Sequence, residues 1–253
     1  MKATVYILLL FIQFLTVSSS KAINKDIAYD IIIYGATSSG IAAAIQADRL
    51  GKSVLLIEPS DRIGGLTTGG LGQTDIGNKQ VIGGIPREFY QNIRTYYDDE
   101  SNWKWQKKSS YKDDGQSRTS KNEGTMWTFE PSAALKVFQK MIVDTKINMV
   151  YNERLNMTSG VLKNRNRITA IVMESGKQYK GKIFIDATYE GDLMALSGVS
   201  YTVGRESNSQ YAENLNGVET ALAKHHQFSN GVDPYLRRGD PNSGLLPNIS
   251  TIN

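Results

Sequence analysis

The stretch from Asp30 to Glu58 constrains this chain more than any other. Ile31 to Tyr34 form a short apolar run rich in β-branched residues, as a strand buried on both faces requires. Gly35-Ala36-Thr37-Ser38-Ser39-Gly40 follows. Ile41, Ala44, Ile45 and Leu50 then recur at helical spacing, and Gly51 is placed to end the helix. Val54 to Ile57 supply a second buried strand, closed by Glu58. The order strand, glycine turn, helix, strand, acid predicts a βαβ unit with a dinucleotide fingerprint between its first strand and its helix.

That fingerprint departs from G-x-G-x-x-G at one position. Gly35 and Gly40 stand at the first and third glycines, but Thr37 replaces the second. Gly35 makes the tight turn in this reading, and Gly40 lets the helix pack close to the strand. Thr37 puts a side chain where a pyrophosphate usually meets bare backbone, and Ser38 and Ser39 add hydroxyls beside the helix N-terminus, a favourable place for an anion. Glu58 lies 58 − 35 = 23 residues past the first glycine, near the expected position of an acid that binds ribose hydroxyls. The competing reading is a glycine turn that serves packing alone.

After Glu58 come Pro59, Arg62, Gly64 and Gly65, then Thr67-Thr68-Gly69-Gly70-Leu71-Gly72. An arginine four residues after the acid, with a glycine pair beyond it, resembles the continuation in flavoproteins of the glutathione-reductase-like and amine-oxidase-like superfamily. The resemblance implies FAD as cofactor. It places Arg62 and the backbone of Gly64 and Gly65 near the pyrophosphate, with Thr67, Thr68 and Gly69 leading towards the flavin. A mobile surface loop is the plainer reading of this ribbon.

Met1 to Ala22 reads as an export signal. Lys2 is the positive start, Val5 to Val17 are apolar apart from Gln13 and Thr16, and Ser20-Lys21-Ala22 offers small residues for cleavage. The apolar run falls short of the ~20 residues that span a bilayer. A periplasmic or extracellular protein, without stable membrane insertion after cleavage, is therefore expected, and an uncleaved anchor is the alternative. With 40% hydrophobic and 21% charged residues the chain can bury a substantial core. It has no cysteine, which excludes disulfides, thiol catalysis and thiolate metal ligands; no metal site is expected. The net charge of +4 falls to +2 without Lys2 and Lys21, too little to argue for a nucleic-acid partner.

Further along, Val81 to Pro86 predicts a turn into a helix with Pro86 at its first position. Phe89, Ile93 and Tyr97 give that helix an apolar stripe. Residues 98–125 are polar, and apart from Trp103 and Trp105 hold little to bury. This predicts a solvated insertion, with a basic aromatic patch for an acidic glycan as the alternative. Leu135, Phe138, Met141 and Ile142 mark a second amphipathic helix. Ile147 to Tyr151, Ile168 to Glu174 and Gln178 to Ile185 predict strands, the last two belonging to a small β-meander with turns at Lys163-Asn164-Arg165-Asn166 and Ser175-Gly176 that feeds back into the main sheet.

The second diagnostic stretch is Ile183-Phe-Ile-Asp186-Ala187-Thr188-Tyr189-Glu190-Gly191-Asp192. It resembles the A-T-G turn that abuts FAD, with Tyr189 in place of the glycine. Taken with Tyr34 to Gly40, Gly69 to Asp75 and Phe129-Glu130-Pro131, it is similar to the FAD-dependent oxidoreductase family of secreted bacterial proteins, from about Asp30 to Ser207. The fold so implied is α/β, a Rossmann-like FAD/NAD(P)-binding domain with a parallel sheet, flanking helices and a small β-meander crossover. The expected organisation is a signal peptide over 1–22, an FAD-binding domain over 27–205 with the insertion 98–125, and the start of a truncated substrate or cap region over 206–253. Family members are longer, so the chain reads as the N-terminal portion of a larger enzyme.

Cofactor-binding candidates are Gly35, Ala36, Thr37, Ser38, Ser39, Gly40, Glu58, Pro59, Arg62, Gly64, Gly65, Thr67, Thr68, Gly69, Ala187 and Thr188. No catalytic base is named. His225 and His226 read as surface residues with an acid/base pair as the alternative, Asp75 as a turn cap or a residue facing the flavin, Glu190 and Asp192 as helix caps with a cofactor hydrogen bond as the alternative, and Arg205 as a structural ion pair or a grip on an anionic substrate group. The function implied is hydride transfer between a small organic substrate and flavin, with a sugar or carbohydrate-derived alcohol suggested by export and family analogy. A nicotinamide-dependent dehydrogenase and a non-catalytic remnant of a flavoenzyme are the alternatives.

Overall fold

The structure, a computed structural model, describes residues 28–72, 78–111, 124–204, 206–213, 233 and 235–246. The chain divides into two compact units, one ending at Leu196 and one beginning at Ser197.

In the first unit β1 (Ala28–Tyr34), β2 (Val54–Ile57), β3 (Asn148–Val150), β4 (Val161–Asn164), β5 (Arg167–Val172) and β6 (Gln178–Asp186) form one sheet in the order β3-β2-β1-β6-β5-β4. β3, β2, β1 and β6 run parallel, while β5 adds antiparallel to β6 and β4 antiparallel to β5. This is the expected Rossmann-like sheet with its meander. β6 belongs to both parts: Gln178 to Lys180 pair with β5, and Lys180 to Asp186 align with β1.

The uninterrupted apolar runs follow from burial on both faces. Ile33, Val54 and Leu56 face α1 (Ser38–Arg49), α3 (Gly84–Asp98) and α4 (Pro131–Val143), among Ile41, Ala44, Phe89, Ile93 and Phe138. Ile32, Tyr34, Leu55 and Ile57 face Leu155, Ile171, Met173 and Leu193 on the other side. Successive residues of one strand thus enter two different cores, as the period of two demands.

Three sequence expectations shift in detail. Pro86 is the third residue of α3, because Gly84, at φ 57°, starts the helix. A proline costs nothing there, since first-turn amides have no partner within the helix. On α4 the fully buried residues are Ala133, Ala134, Val137 and Phe138, with Leu135, Met141 and Ile142 at the margin. Small alanines bring the helix backbone close to the layer beneath. In the polar insertion Trp103 packs against Tyr97 and Tyr111, whereas Trp105 is 88% exposed.

The register positions the functional site. Tyr34 aligns with Ile57 on one side and Asp186 on the other, so the chain leaves β1, β2 and β6 at the same sheet edge. The ladder continues one step into the loops, with the Gly35 amide donating to the Ile57 carbonyl and the Ala187 amide to that of Tyr34, both at 2.8 Å. Among the described residues no helix is long and apolar enough to cross a membrane. The second unit contains α6 (Asn208–Tyr211) and a bridge between Tyr235 and Leu245 around the turn Pro241–Ser243.

Candidate functional site

The β1–α1 turn fits closely onto the turn after β6. Gly35 lies at φ 98°, and a Cβ there would stand 2.9 Å from the Ala187 carbonyl carbon and the Thr188 amide. A Cβ on Gly40 would come within 2.0 Å of the Gly35 carbonyl oxygen. Neither glycine can be replaced without displacing backbone.

Thr37 explains its own departure from the glycine pattern. Its hydroxyl donates to the Ala187 carbonyl at 2.7 Å and accepts from the Gly40 amide at 3.3 Å, so the side chain caps α1 and ties it to the β6 turn. The hydroxyls of Ser39 and Thr37 are 2.9 Å apart. The amides of Ser38 and Ser39 take no acceptor among the described residues, leaving first-turn donors open to an anion.

Glu58 is 8% exposed. Oε2 accepts from the Ala36 amide at 2.9 Å, and Oε1 accepts from the Ser60 amide at 2.9 Å and the Ser60 hydroxyl at 2.6 Å. A carboxylate offers roughly four lone-pair positions. Three are taken, and one remains for a ligand hydroxyl.

Beyond Glu58 the chain returns to the turn. The Gly64 amide donates to the Ala36 carbonyl at 2.7 Å, and Thr37 bridges Gly64. Gly64 (φ 92°) and Gly65 (φ 54°) then open α2 (Gly65–Gly69). Arg62 turns its guanidinium onto the Thr68 carbonyl, with Nε at 3.0 Å, and so braces α2. The Thr68 hydroxyl is buried against the Ile63 carbonyl, and the Thr67 hydroxyl approaches Ser38 at 3.4 Å. Gly69 is exposed with open space around its Cα.

One pocket of about 290 Å³ collects Gly35, Thr37, Glu58, Pro59, Arg62, Gly65 and Thr188 from the sequence candidates. Ala36, Gly40, Gly64, Thr68 and Ala187 stand behind it as backbone and packing, while Ser38, Ser39, Thr67 and Gly69 lie off its lining. Three lining residues escaped the sequence candidates: Ser60, Tyr189 and Glu190. Tyr189 is the informative one. Its Oη accepts from the Leu66 amide at 2.8 Å, and a Cβ on Gly65 would come 2.3 Å from that oxygen. The signal in the sequence was the tyrosine standing where the resembled turn has glycine.

The capping at this edge also differs from expectation. Asp186 accepts from the Thr188 amide at 3.0 Å and the Met194 amide at 2.9 Å, and the Thr188 hydroxyl accepts from the Gly191 amide at 3.0 Å. Asp186 and Thr188 therefore order the start of α5 (Asp192–Leu196), which leaves Glu190 on the pocket wall. Asp75, Arg205, His225, His226, the segment 1–22 expected to be an export signal and part of the insertion (112–123) lie outside the described residues.

A parallel sheet with a glycine turn, a helix N-terminus and an acid at one edge defines a dinucleotide-binding α/β protein. The residues also fit a bound dinucleotide: two glycines admit no Cβ, α1 offers open amides, and Glu58 keeps an unused lone pair. The profile of the FAD dependent oxidoreductase family matches residues 30–244, and the chain belongs to that family, with FAD as its cofactor.

Solved structures with partial likeness include L-proline dehydrogenase from P. horikoshii, at 14% identity over 71% of this chain and 58% of that one, with a TM-score of 0.43. L-amino acid deaminase from Proteus vulgaris matches at 13% identity over 71% and 58%, with a TM-score of 0.40. Thioredoxin reductase from T. acidophilum matches at 15% over 63% and 34%, with a TM-score of 0.37. The chain thus spans less than two thirds of these proteins. No curated protein matches the chain significantly.

Proposed function

We propose that this chain forms the dinucleotide-binding part of a flavoenzyme that oxidises or reduces a small organic substrate, a sugar or carbohydrate-derived alcohol. The observation that carries the reading is the convergence of Gly35, Thr37, Glu58, Arg62, Gly65 and Thr188 on one pocket at the end of three parallel strands. When bound, FAD supplies the hydride-accepting chemistry, and the protein contributes binding, orientation and electrostatics.

Glu58 would hold a ribose hydroxyl through its remaining lone pair. The first-turn amides of α1 would face the pyrophosphate. Arg62 would keep α2 in place through the Thr68 carbonyl and add positive charge beside the phosphates. The Gly69–Gly72 ribbon continues from α2, and Phe129 anchors it by donating its amide to the Gly72 carbonyl at 3.0 Å. Export belongs to the same reading: mass spectrometry of the secreted protein should find the mature N-terminus near Ile23.

The direct test is titration of the purified protein with FAD, followed by visible absorbance and flavin fluorescence. Saturable binding at one flavin per chain supports the reading. A protein that binds no FAD would be the non-catalytic remnant instead.

A further inference from the structure

A second pocket, of about 280 Å³, lies on the same unit between the end of α3 and the segment that leads into α4. Its aromatic walls are held rigidly. Trp103 Nε1 donates to the Tyr97 carbonyl at 2.8 Å, the Tyr97 hydroxyl donates to Glu130 Oε2 at 2.8 Å, and the Tyr111 hydroxyl is hydrogen-bonded to Thr128. The rings of Tyr97, Trp103 and Tyr111 follow one another at centroid distances of 5.0 and 5.3 Å. Burial drives the Tyr97 phenol well above its ordinary value, and the Glu130 carboxylate adds to the shift.

Trp105 differs from these. It is 88% exposed on the pocket rim, and its indole makes no hydrogen bond among the described residues. An exposed indole at the mouth of a pre-formed aromatic pocket offers a flat apolar face on which a ligand ring can stack. The polar groups on the lining say which ligand. Glu130 Oε1 has no partner among the described residues, and Lys104 and Gln106 stand exposed beside it. Glu130 supplies acceptors, Lys104 and Gln106 supply donors, and the two charges balance, so the lining suits a molecule of no net charge that carries both donors and acceptors. The volume of about 280 Å³ lies just below the usual ~300–1,000 Å³ of ligand pockets and leaves room for a single ring against the aromatic walls.

We propose that this pocket binds a single neutral sugar ring, stacked on the Trp105 indole with its hydroxyls on Glu130 and Lys104. Phe129, on the pocket wall, is the residue that anchors the glycine ribbon. A Cβ on Gly72 would lie 2.2 Å from its carbonyl oxygen, so pocket and ribbon form one packed unit. The assignment shares with the proposed function only the class of substrate, and its site is separate from the flavin cradle.

The test titrates the protein with methyl glycosides of glucose, galactose and mannose, read by calorimetry and by tryptophan fluorescence. At least one should saturate in the millimolar range or below. Trp105→Ala should weaken it tenfold or more and Glu130→Gln about fivefold, with unchanged circular dichroism. The same binding should persist in Glu58→Ala, which separates it from the flavin reading. Saturation by tetramethylammonium or by glucuronate in preference to the neutral glycosides would overturn the proposal. So would the absence of saturation by all three, or binding that Trp105→Ala leaves unchanged.

Discussion

Glu58 Oε2 lies 2.9 Å from the Ala36 amide, so the acid at the end of β2 holds the glycine turn at the end of β1. One carboxylate therefore shapes the turn and lines the pocket, and in the proposed function it also holds a ribose hydroxyl. Glu58→Ala strands the Ala36 amide in a buried site, which should lower stability by about 1–3 kcal/mol. It should also weaken FAD binding by about 1.5–3 kcal/mol, the scale of a hydrogen bond to a charged group. Urea denaturation and flavin fluorescence titration read the two effects separately. An unchanged flavin affinity would remove Glu58 from the cofactor site.

Gly40→Ala should be more damaging than an ordinary helix substitution. Alanine normally favours a helix by about 1 kcal/mol over glycine. Here its methyl would meet the Gly35 carbonyl oxygen at 2.0 Å and the Ala187 Cβ at 3.2 Å. Overpacking against backbone costs about 1–3 kcal/mol or more, so the variant should be less stable than the wild type. A higher denaturation midpoint would show that the turn yields.

Tyr189→Phe tests the hydroxyl that occupies the Leu66 amide. If a ligand phosphate uses that donor, the tyrosine must first give it up. Removing a hydrogen bond of about 1 kcal/mol should then tighten FAD binding roughly fivefold, with little change in stability because the ring is 59% exposed. Stopped-flow and equilibrium fluorescence report the change. Weaker binding would mean that the hydroxyl itself contacts the cofactor.

Asp30 joins three strands at the far edge of the sheet. Its carboxylate accepts from Lys182 Nζ at 2.6 Å, the Ser53 amide at 3.0 Å and the Ser53 hydroxyl at 2.8 Å. The Lys182 ammonium first, then the Ser53 amide and hydroxyl, hold its carboxyl well below the ordinary value of 3.8. A depressed folded value means that the unfolded chain takes up the proton first as pH falls. The contribution is therefore complete above the ordinary value and lost as pH drops towards the folded one. The stability gap between wild type and Asp30→Asn should stay constant above about pH 5 and close below it, as urea midpoints across pH would show.

The local code of the nucleotide-binding unit was legible because its signals are short-range. The apolar runs Ile31–Tyr34 and Val54–Ile57 announce strands buried on both sides, and Gly51, at φ 72°, ends α1 as its position implied. The meander was readable from its turns, since Arg165 and Gly176 both adopt the positive φ that such turns need. Phe89, Ile93 and Tyr97 stood out by spacing alone, and all three are buried.

What no local pattern could decide was how the ends of β1, β2 and β6 share one edge. Thr37 looked like a defect in a glycine motif until the Ala187 carbonyl, 150 residues later, took its hydroxyl. Arg62 could be read only as a cation near phosphate, whereas its hydrogen bonds go to the Thr68 carbonyl. Tyr189 reaches the Leu66 amide across 123 residues. The aromatic pocket at Trp105 arises because Tyr97, Trp103 and Tyr111 fold back onto Thr128 and Glu130. The sequence by itself determined the strands, the helices and the residue types at the turn, because backbone preference and hydrophobic period act over a few residues. Only the tertiary structure decided which of those side chains line the pocket and which brace the backbone, because that choice depends on partners brought together by the register of the sheet.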